Sequence, residues 1–143
     1  MIIGKSIKEL SIGDSVSHKK IITEKDICLF GEITGDYNPA HFDAQYAKET
    51  IFKKRIAHGM LIGSLFSKLL GMELPGPGII YISQTLRFRR PVYFRDEIKA
   101  EVKIIEINTE KNRVKFECIA YNQDNEKVVI GEAELMPPIK EEK

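Results

Sequence analysis

The chain has 143 residues, the usual size of one domain, so one core and one site are expected. Its 22 Lys and Arg residues against 21 Asp and Glu exclude nucleic-acid or membrane-surface binding by bulk charge. With 43% hydrophobic and 30% charged residues the composition is globular, and the longest uncharged runs, 56–67 and 74–86, fall short of the ~20 apolar residues of a membrane helix.

The first elements are predicted to be a strand and a helix. The opening residues carry no secretory signal, which predicts a cytoplasmic protein. Residues 14–22 have the pattern of a strand, and Thr23 with Asp26 has the pattern of a helix N-cap and its acidic partner. Gly35 is placed to end the helix that follows.

A loop and two further helices come next. Turn chemistry around Pro39 predicts a loop over 35–42, because the residue before a proline avoids the helical region. A short helix is expected over 44–49 and a longer one over 56–71. The apolar residues of the longer helix cover nearly its whole circumference: Met60, Leu61, Ile62, Leu65, Phe66, Leu69 and Leu70. This helix should therefore be buried on nearly every side, with another element wrapped around it.

The second half of the chain supplies that wrapping. Four strand-like runs are separated by turn-like links: 79–90, 96–107, 113–122 and 127–136. The second and third runs alternate apolar with charged residues, so each has a dry side and a wet side. With the N-terminal strand, these runs predict an α+β hot-dog fold, in which a curved antiparallel sheet of about five strands wraps around the central helix.

The organisation of the chain predicts one domain over residues 1–143, with a flexible tail from about Pro137, where prolines and charges accumulate. A single sheet on a single helix leaves strand edges open. The chain is therefore expected to form a homodimer, or an assembly built from that dimer.

The loop Asp36-Tyr37-Asn38-Pro39-Ala40-His41 sets a carboxylate five residues before an imidazole. On a helix or a strand this spacing would separate the two side chains, but a turn lets them converge on one small molecule. A water molecule held between them would be a nucleophile, because an imidazole with a pKa near ~6.5 exchanges protons at neutral pH. The structural alternative is that Asp36 braces the turn and His41 is an ordinary histidine.

A second candidate site lies where the long helix is expected to begin. The first N–H groups of a helix lack intrahelical partners and lie at the positive end of its dipole, so they can bind a developing negative oxygen. Gly59 would let a substrate approach them, or would only ease a tight entry into the core. His58 is either a satisfied histidine at the core edge or a catalyst or ligand. A zinc site of Asp36, His41 and His58 lacks any supporting Cys or His spacing, so no metal is expected.

Together the two sites resemble a known family. Asp36-x-Asn38-Pro39-x-His41, His58-Gly59-Met60 and the Ser-Leu-Phe-Ser run at 64–67 are similar to the signature of the MaoC-like, (R)-specific enoyl-CoA hydratases. The resemblance covers roughly residues 21–137 and includes the Leu-Pro-Gly-x-Gly turn at 74–78.

The resemblance implies a hydro-lyase that reversibly adds water to a trans-2-enoyl thioester and gives the (R)-3-hydroxyacyl thioester. Asp36 and His41 stand where that family's catalytic pair stands, the N–H of Gly59 matches the oxyanion donor, and Asn38 and Ser67 match supporting positions. No cofactor is implied. The expected substrate is an acyl-CoA or acyl-carrier-protein thioester of fatty acid metabolism.

The acyl chain is expected along the central helix, although plain core is the alternative for each residue named: Leu65, Phe66, Leu69 and Leu70. Two other functions stay open. A hot-dog thioesterase would direct a carboxylate-held water at the carbonyl carbon, and a non-catalytic acyl-thioester-binding protein would bind without turnover. Release of free thiol, measured against loss of enoyl absorbance, separates the first of these from a hydratase.

Overall fold

The computed structural model describes residues 2–140. Within that range the helices and strands are β1 (Ser15–Ile21), α1 (Glu24–Thr34), α2 (Pro39–Phe42), α3 (Ala44–Lys48), α4 (Gly59–Lys68), β2 (Ile80–Gln84), β3 (Arg87–Phe88), β4 (Glu97–Asn108), β5 (Arg113–Tyr121) and β6 (Lys127–Met136). A short 3-10 turn, Ile7–Glu9, precedes β1, and α4 continues as a π-helical segment over Leu69–Glu73. No helix in the described range is long and apolar enough to cross a membrane.

The strands form one antiparallel sheet in the order β1-β4-β5-β6-β2, with β3 also paired to β6. Helix α4 packs against β4, β5 and β6 on the concave side of this sheet. Fully buried side chains from both layers meet there, including Ile62 and Phe66 of α4 and Val102, Phe116 and Leu135 of the sheet. This arrangement confirms the predicted α+β hot-dog fold.

The strand-like run at 79–90 is not one strand, because it is interrupted between β2 and β3. At Thr85 the chain leaves the regular ladder but stays on the same edge of β6. Its carbonyl oxygen lies over Gly131, which has no side chain, and a Cβ built on Gly131 would stand 1.9 Å from that oxygen. Two hydrogen bonds hold Thr85 against β6: the Thr85 N–H donates to the Glu132 carbonyl at 2.8 Å, and the Glu132 N–H donates to Thr85 Oγ1 at 3.0 Å. Strand β3 then pairs with β6 on that same edge, and its Phe88 lines the cleft described below.

The predicted ends of α1 are confirmed, whereas the predicted loop that follows α1 contains a short helix. The predicted cap of α1 is confirmed, since the Asp26 N–H donates to Thr23 Oγ1 and the Thr23 N–H donates back to Asp26 Oδ2. Gly35 ends α1 with φ 77°. The predicted loop over 35–42, in contrast, closes with the short helix α2, because Asn38 Oδ1 accepts the Ala40 N–H and proline is well suited to a first helical position.

The prediction that the central helix is buried on nearly every side is wrong for this chain. The sheet covers one side of α4 and its continuation, while the other side stays open, with Met60 57% and Met72 67% exposed and Ser64 also exposed. The helix also starts at Gly59 rather than Ile56, because Ala57 is still held by the Val92 carbonyl.

The described part of the predicted tail contacts the domain. The Pro137 carbonyl accepts a hydrogen bond from Asn112 Nδ2 at 3.0 Å, and Lys140 Nζ lies 2.6 Å from Glu9 Oε1. The last residues of that tail, 141–143, lie outside the described residues.

Candidate active site

One cleft of about 390 Å³ brings together the two candidate sites, although 23 positions separate Asp36 from Gly59. Asp36, His41 and Gly59 all line it. Its remaining walls are largely apolar, with side chains from Phe52, Ile56, Met60, Ile62, Phe88, Val92 and Val129. Arg89 and Arg90 line the same cleft, so it combines a polar corner, an apolar wall and a basic side.

The Asp36 carboxylate is fixed within its own loop. Asp36 Oδ1 accepts the Asn38 N–H at 3.2 Å, and the Asp36 N–H donates to Thr34 Oγ1 at 3.1 Å. Asn38 uses its side chain to cap α2, so its position in the loop is that of a brace. The carboxylate is exposed toward the cleft, where it can accept hydrogen bonds from a bound molecule.

His41 is held by the segment that precedes α4. Its Nδ1 lies 2.8 Å from the Ile56 carbonyl oxygen, so Nδ1 carries the proton and donates it, and Nε2 has a free lone pair in the neutral ring. Arg55 Nε donates to the His41 carbonyl at 2.8 Å, and the Arg55 guanidinium also pairs with Glu24 at 3.1 Å. Arg55 thus has both of these partners inside the protein.

The environment of His41 lowers its pKa below the ordinary value of 6.5. Burial is the largest cause, because it disfavours the charged imidazolium, and the nearby His58 ring adds to it. The Ile56 carbonyl and the Asp36 carboxylate act in the opposite direction. The ring is therefore neutral at pH 7 and ready to accept a proton at Nε2.

Asp36, His41 and His58 each offer one ligand atom, and these atoms lie within 4.8 Å of one another. Two groups that hydrogen-bond one water molecule stand about 4.6 Å apart, so Asp36 and His41 are close enough to share a water. In the described part of the chain, the same three residues form the group that could hold a metal ion. His58 Nε2, however, is engaged by the Asp36 carbonyl at 3.0 Å, and its Nδ1 is buried without a partner among the described residues.

The helix terminus behind Gly59 presents free amides to the cleft. The first hydrogen bonds of α4 are donated by Leu61 and Ile62 to the His58 carbonyl, so the N–H groups of Gly59 and Met60 have no intrahelical partner. The Phe88 ring lies over this turn, and a Cβ on Gly59 would stand 2.8 Å from Phe88 Cδ1. The missing side chain at Gly59 therefore makes room for the Phe88 ring against the first turn of α4.

The other predicted site residues lie elsewhere. Ser67 is on α4 with its side chain exposed, and it does not line this cleft. The four residues proposed for the acyl pocket do not line it either: Phe66, Leu69 and Leu70 are fully buried in the core, and Leu65 is half-buried.

Several contributors to the site have no clear sequence signal. The carbonyls of Ile56 and Asp36, which fix the two imidazoles, are backbone groups that every residue carries. Phe88 belongs to a short run rich in arginine, and only its alternation with the arginines could have indicated an inward ring.

The chain is similar to known proteins in sequence and in fold. The family model described as "MaoC like domain" matches residues 8–127. The 3-hydroxybutyryl-CoA dehydratase of Methylorubrum extorquens is 43% identical over 135 residues, which are 94% of this chain and 85% of that protein. The mitochondrial 3-hydroxyacyl-[acyl-carrier-protein] dehydratase of Arabidopsis thaliana is 39% identical over 132 residues, covering 90% of this chain and 78% of that protein.

Among solved structures, the unliganded R-hydratase PhaJ1 from Pseudomonas aeruginosa superimposes with a TM-score of 0.88. It is 43% identical, and the match covers 98% of this chain and 93% of that one. The family model, the relatives and the superposition all span most of the chain. On this evidence the chain belongs to the family of MaoC-like domains.

Proposed function

We propose that the protein is an enzyme, an (R)-specific enoyl-CoA hydratase that also runs the reverse dehydration of 3-hydroxyacyl-CoA. The observation that carries the proposal is the convergence of the Asp36 carboxylate, the His41 imidazole and the Gly59 amide in one cleft. The relatives support the same chemistry, since one is a 3-hydroxybutyryl-CoA dehydratase and another an R-hydratase.

In the proposed mechanism a water molecule binds between Asp36 and His41. His41 Nε2 takes one proton from this water as its oxygen forms a bond to C3 of the enoyl group. The electron pair of the C2–C3 double bond shifts to form a C1–C2 double bond, and the carbonyl π pair moves to the thioester oxygen, where the Gly59 N–H stabilises the developing charge. A proton then returns from the Asp36–His41 pair to C2, which completes the addition of one water and restores the pair.

Hydration of crotonyl-CoA by the purified protein tests this function. We expect loss of enoyl absorbance without release of free thiol, and chiral analysis should find the (R)-3-hydroxy product. Thiol release would identify a thioesterase instead, and binding without any turnover would identify a non-catalytic acyl-thioester-binding protein. A parallel series with crotonyl-acyl-carrier protein decides which carrier is preferred.

The lowered pKa of His41 predicts the pH dependence of this reaction. The neutral imidazole is the active form, so kcat/KM should stay on a plateau from pH 8 down to about 6.5 and fall only at lower pH. The folded state binds the His41 proton less readily than the unfolded chain, so this group also makes the fold less stable as pH falls below 6.5. NMR titration of His41 checks both statements, and a midpoint above 6.5 would contradict them.

We also propose a homodimer. Strand β2 ends the sheet, so its outer backbone groups have no strand partner among the described residues, and three apolar side chains on it are exposed: Ile80, Tyr81 and Ile82. Met60 and Met72 add exposed apolar surface on the central helix. A second copy of the chain would pair with this edge and cover that surface.

Light scattering at micromolar concentration should therefore give twice the monomer mass. A charge on the open edge, as in Ile82→Lys, should shift the protein toward monomer, whereas Lys19→Glu on the opposite edge strand β1 should not. A wild-type mass equal to one chain would contradict the proposed dimer.

The remaining proposals concern the chain as a whole. We infer that residues 1–143 form one domain, which is supported by the pairing of β1 with β4 and by the contact of Lys140 with Glu9. A cytoplasmic location stays a prediction from the sequence.

A further inference from the structure

His58 lies behind the Asp36–His41 pair and is 2% exposed. Its ring centroid is 4.0 Å from that of His41 and 4.8 Å from that of Phe30. Its Nε2 lies 3.0 Å from the Asp36 carbonyl oxygen, so Nε2 carries a proton and donates it to that oxygen. We propose that His58 is a positioning residue, which sets the distance between the Asp36 carboxylate and the first amide of α4. This inference rests on the function proposed above.

Within residues 2–140 Asp36 has three hydrogen bonds that hold it in place, and one of them reaches outside the loop. The bonds from Asp36 to Thr34 and to Asn38 each span two residues, so they move with the loop and cannot place it relative to α4. The bond from His58 spans 22 residues. His58 is also the N-cap residue of α4, directly before Gly59. The His58 side chain therefore links the backbone of Asp36 to the start of α4. In the proposed mechanism the first of these carries the carboxylate that would hold water, and the second carries the amide that would receive the negative charge.

The surroundings of His58 show that its donor, and not its hydrophobic bulk, explains a histidine here. Aromatic rings pack around it, with Phe42 at 5.7 Å in addition to Phe30, and its second nitrogen, Nδ1, is buried without a partner among the described residues. A buried nitrogen without a partner destabilises the fold, so packing alone would favour phenylalanine at this position. Phenylalanine would fill the same space but would leave the Asp36 carbonyl without its donor.

Two substitutions separate the donor from the ring. In His58→Gln the side-chain amide can still donate from near the position of Nε2, whereas His58→Phe keeps an aromatic ring and removes the donor. We expect kcat for crotonyl-CoA hydration to fall about tenfold to a hundredfold in His58→Phe, with KM changed less than about threefold, because a catalytic group is displaced while the acyl site is intact. His58→Gln should recover most of that loss.

Phe30→Leu is the matched control, because Phe30 packs against the His58 ring but has no hydrogen bond to Asp36. It should leave kcat within about threefold of wild type, since neighbouring packing changes while the donor stays. The inference is wrong if a folded His58→Phe variant keeps wild-type kcat, or if His58→Gln loses as much as His58→Phe.

NMR gives a readout that depends neither on hydratase activity nor on the folding of any variant. In the wild-type protein the nitrogen-15 resonances of His58 should show a protonated Nε2 and an unprotonated Nδ1. The opposite tautomer would overturn the inference. If the wild-type protein hydrates no enoyl thioester but shows the expected tautomer, the proposed function fails while the link between His58 and Asp36 stands.

Discussion

Asp36→Asn should lower kcat/KM for hydration of crotonyl-CoA by at least about a hundredfold, and His41→Ala should do the same. The asparagine keeps the size of Asp36 and can still accept the Asn38 N–H, but its neutral amide cannot orient a water molecule or share a proton as a carboxylate does. The alanine removes the imidazole ring, whose Nε2 lone pair is the proton acceptor. In the wild-type protein the hydrogen bond from Nδ1 to the Ile56 carbonyl fixes the orientation of this ring.

Both residues act on the same water molecule, so their effects should not add. The double variant should be hardly slower than the slower single variant, because loss of either residue already removes the shared water. His18→Ala and Asp124→Asn are suitable controls, since both side chains are exposed and neither lines the cleft. Circular dichroism should be unchanged in all of these variants. Activity close to wild type in either single variant would exclude the assignment of the pair.

Gly131→Ala should lower the free energy of unfolding by about 2 kcal/mol or more, with a fall in Tm of roughly 5 °C or more. The new methyl group would stand 1.9 Å from the Thr85 carbonyl oxygen and 2.8 Å from its carbon. These are backbone atoms, and the two hydrogen bonds between Thr85 and Glu132 hold them in place. To make room for the methyl group, the Thr85 backbone must therefore move away from β6, which strains its hydrogen bonds to Glu132.

The same shift should also disturb the cleft, because β3 follows Thr85 directly in the chain and carries Phe88 over Gly59. Hydratase activity at a temperature well below the new Tm should consequently fall as well. Gly71→Ala is the control, since a Cβ there meets nothing within 4 Å and lies in a helical segment, where alanine is favoured over glycine. Thermal denaturation that gives equal Tm values for Gly131→Ala and wild type would contradict the steric argument.

The local elements were predictable from the sequence because short-range chemistry decides them. The reciprocal cap of Thr23 and Asp26 and the glycine at position 35 define both ends of α1 without any tertiary contact. The alternating apolar residues of β4 and β5 specify one buried face per strand, and one such face can only be covered by another layer. This is why the α+β hot-dog fold could be predicted.

Two local predictions failed because the tertiary structure, and not the local pattern, decides which groups are paired or covered. The run at 79–90 is apolar enough for one strand, yet the Thr85 carbonyl turns over Gly131 of β6 and interrupts the regular pairing between β2 and β3. The central helix has an apolar circumference, yet the sheet covers one side only and leaves Met60 and Met72 exposed. An apolar sequence indicates which side chains would be stabilised by burial. It does not indicate which element of the fold, if any, covers them.

Asp36, His41 and Gly59 could be named as candidates from the sequence because a turn and a helix start carry recognisable residue types, and the family resemblance then implied their roles. The distances between these residues could not be predicted from the sequence, because they depend on the path of the chain between α2 and α4. The Ile56 carbonyl on His41 and the His58 donor on Asp36 set that path. A backbone carbonyl is present at every position, so only the tertiary structure decides which one an imidazole reaches.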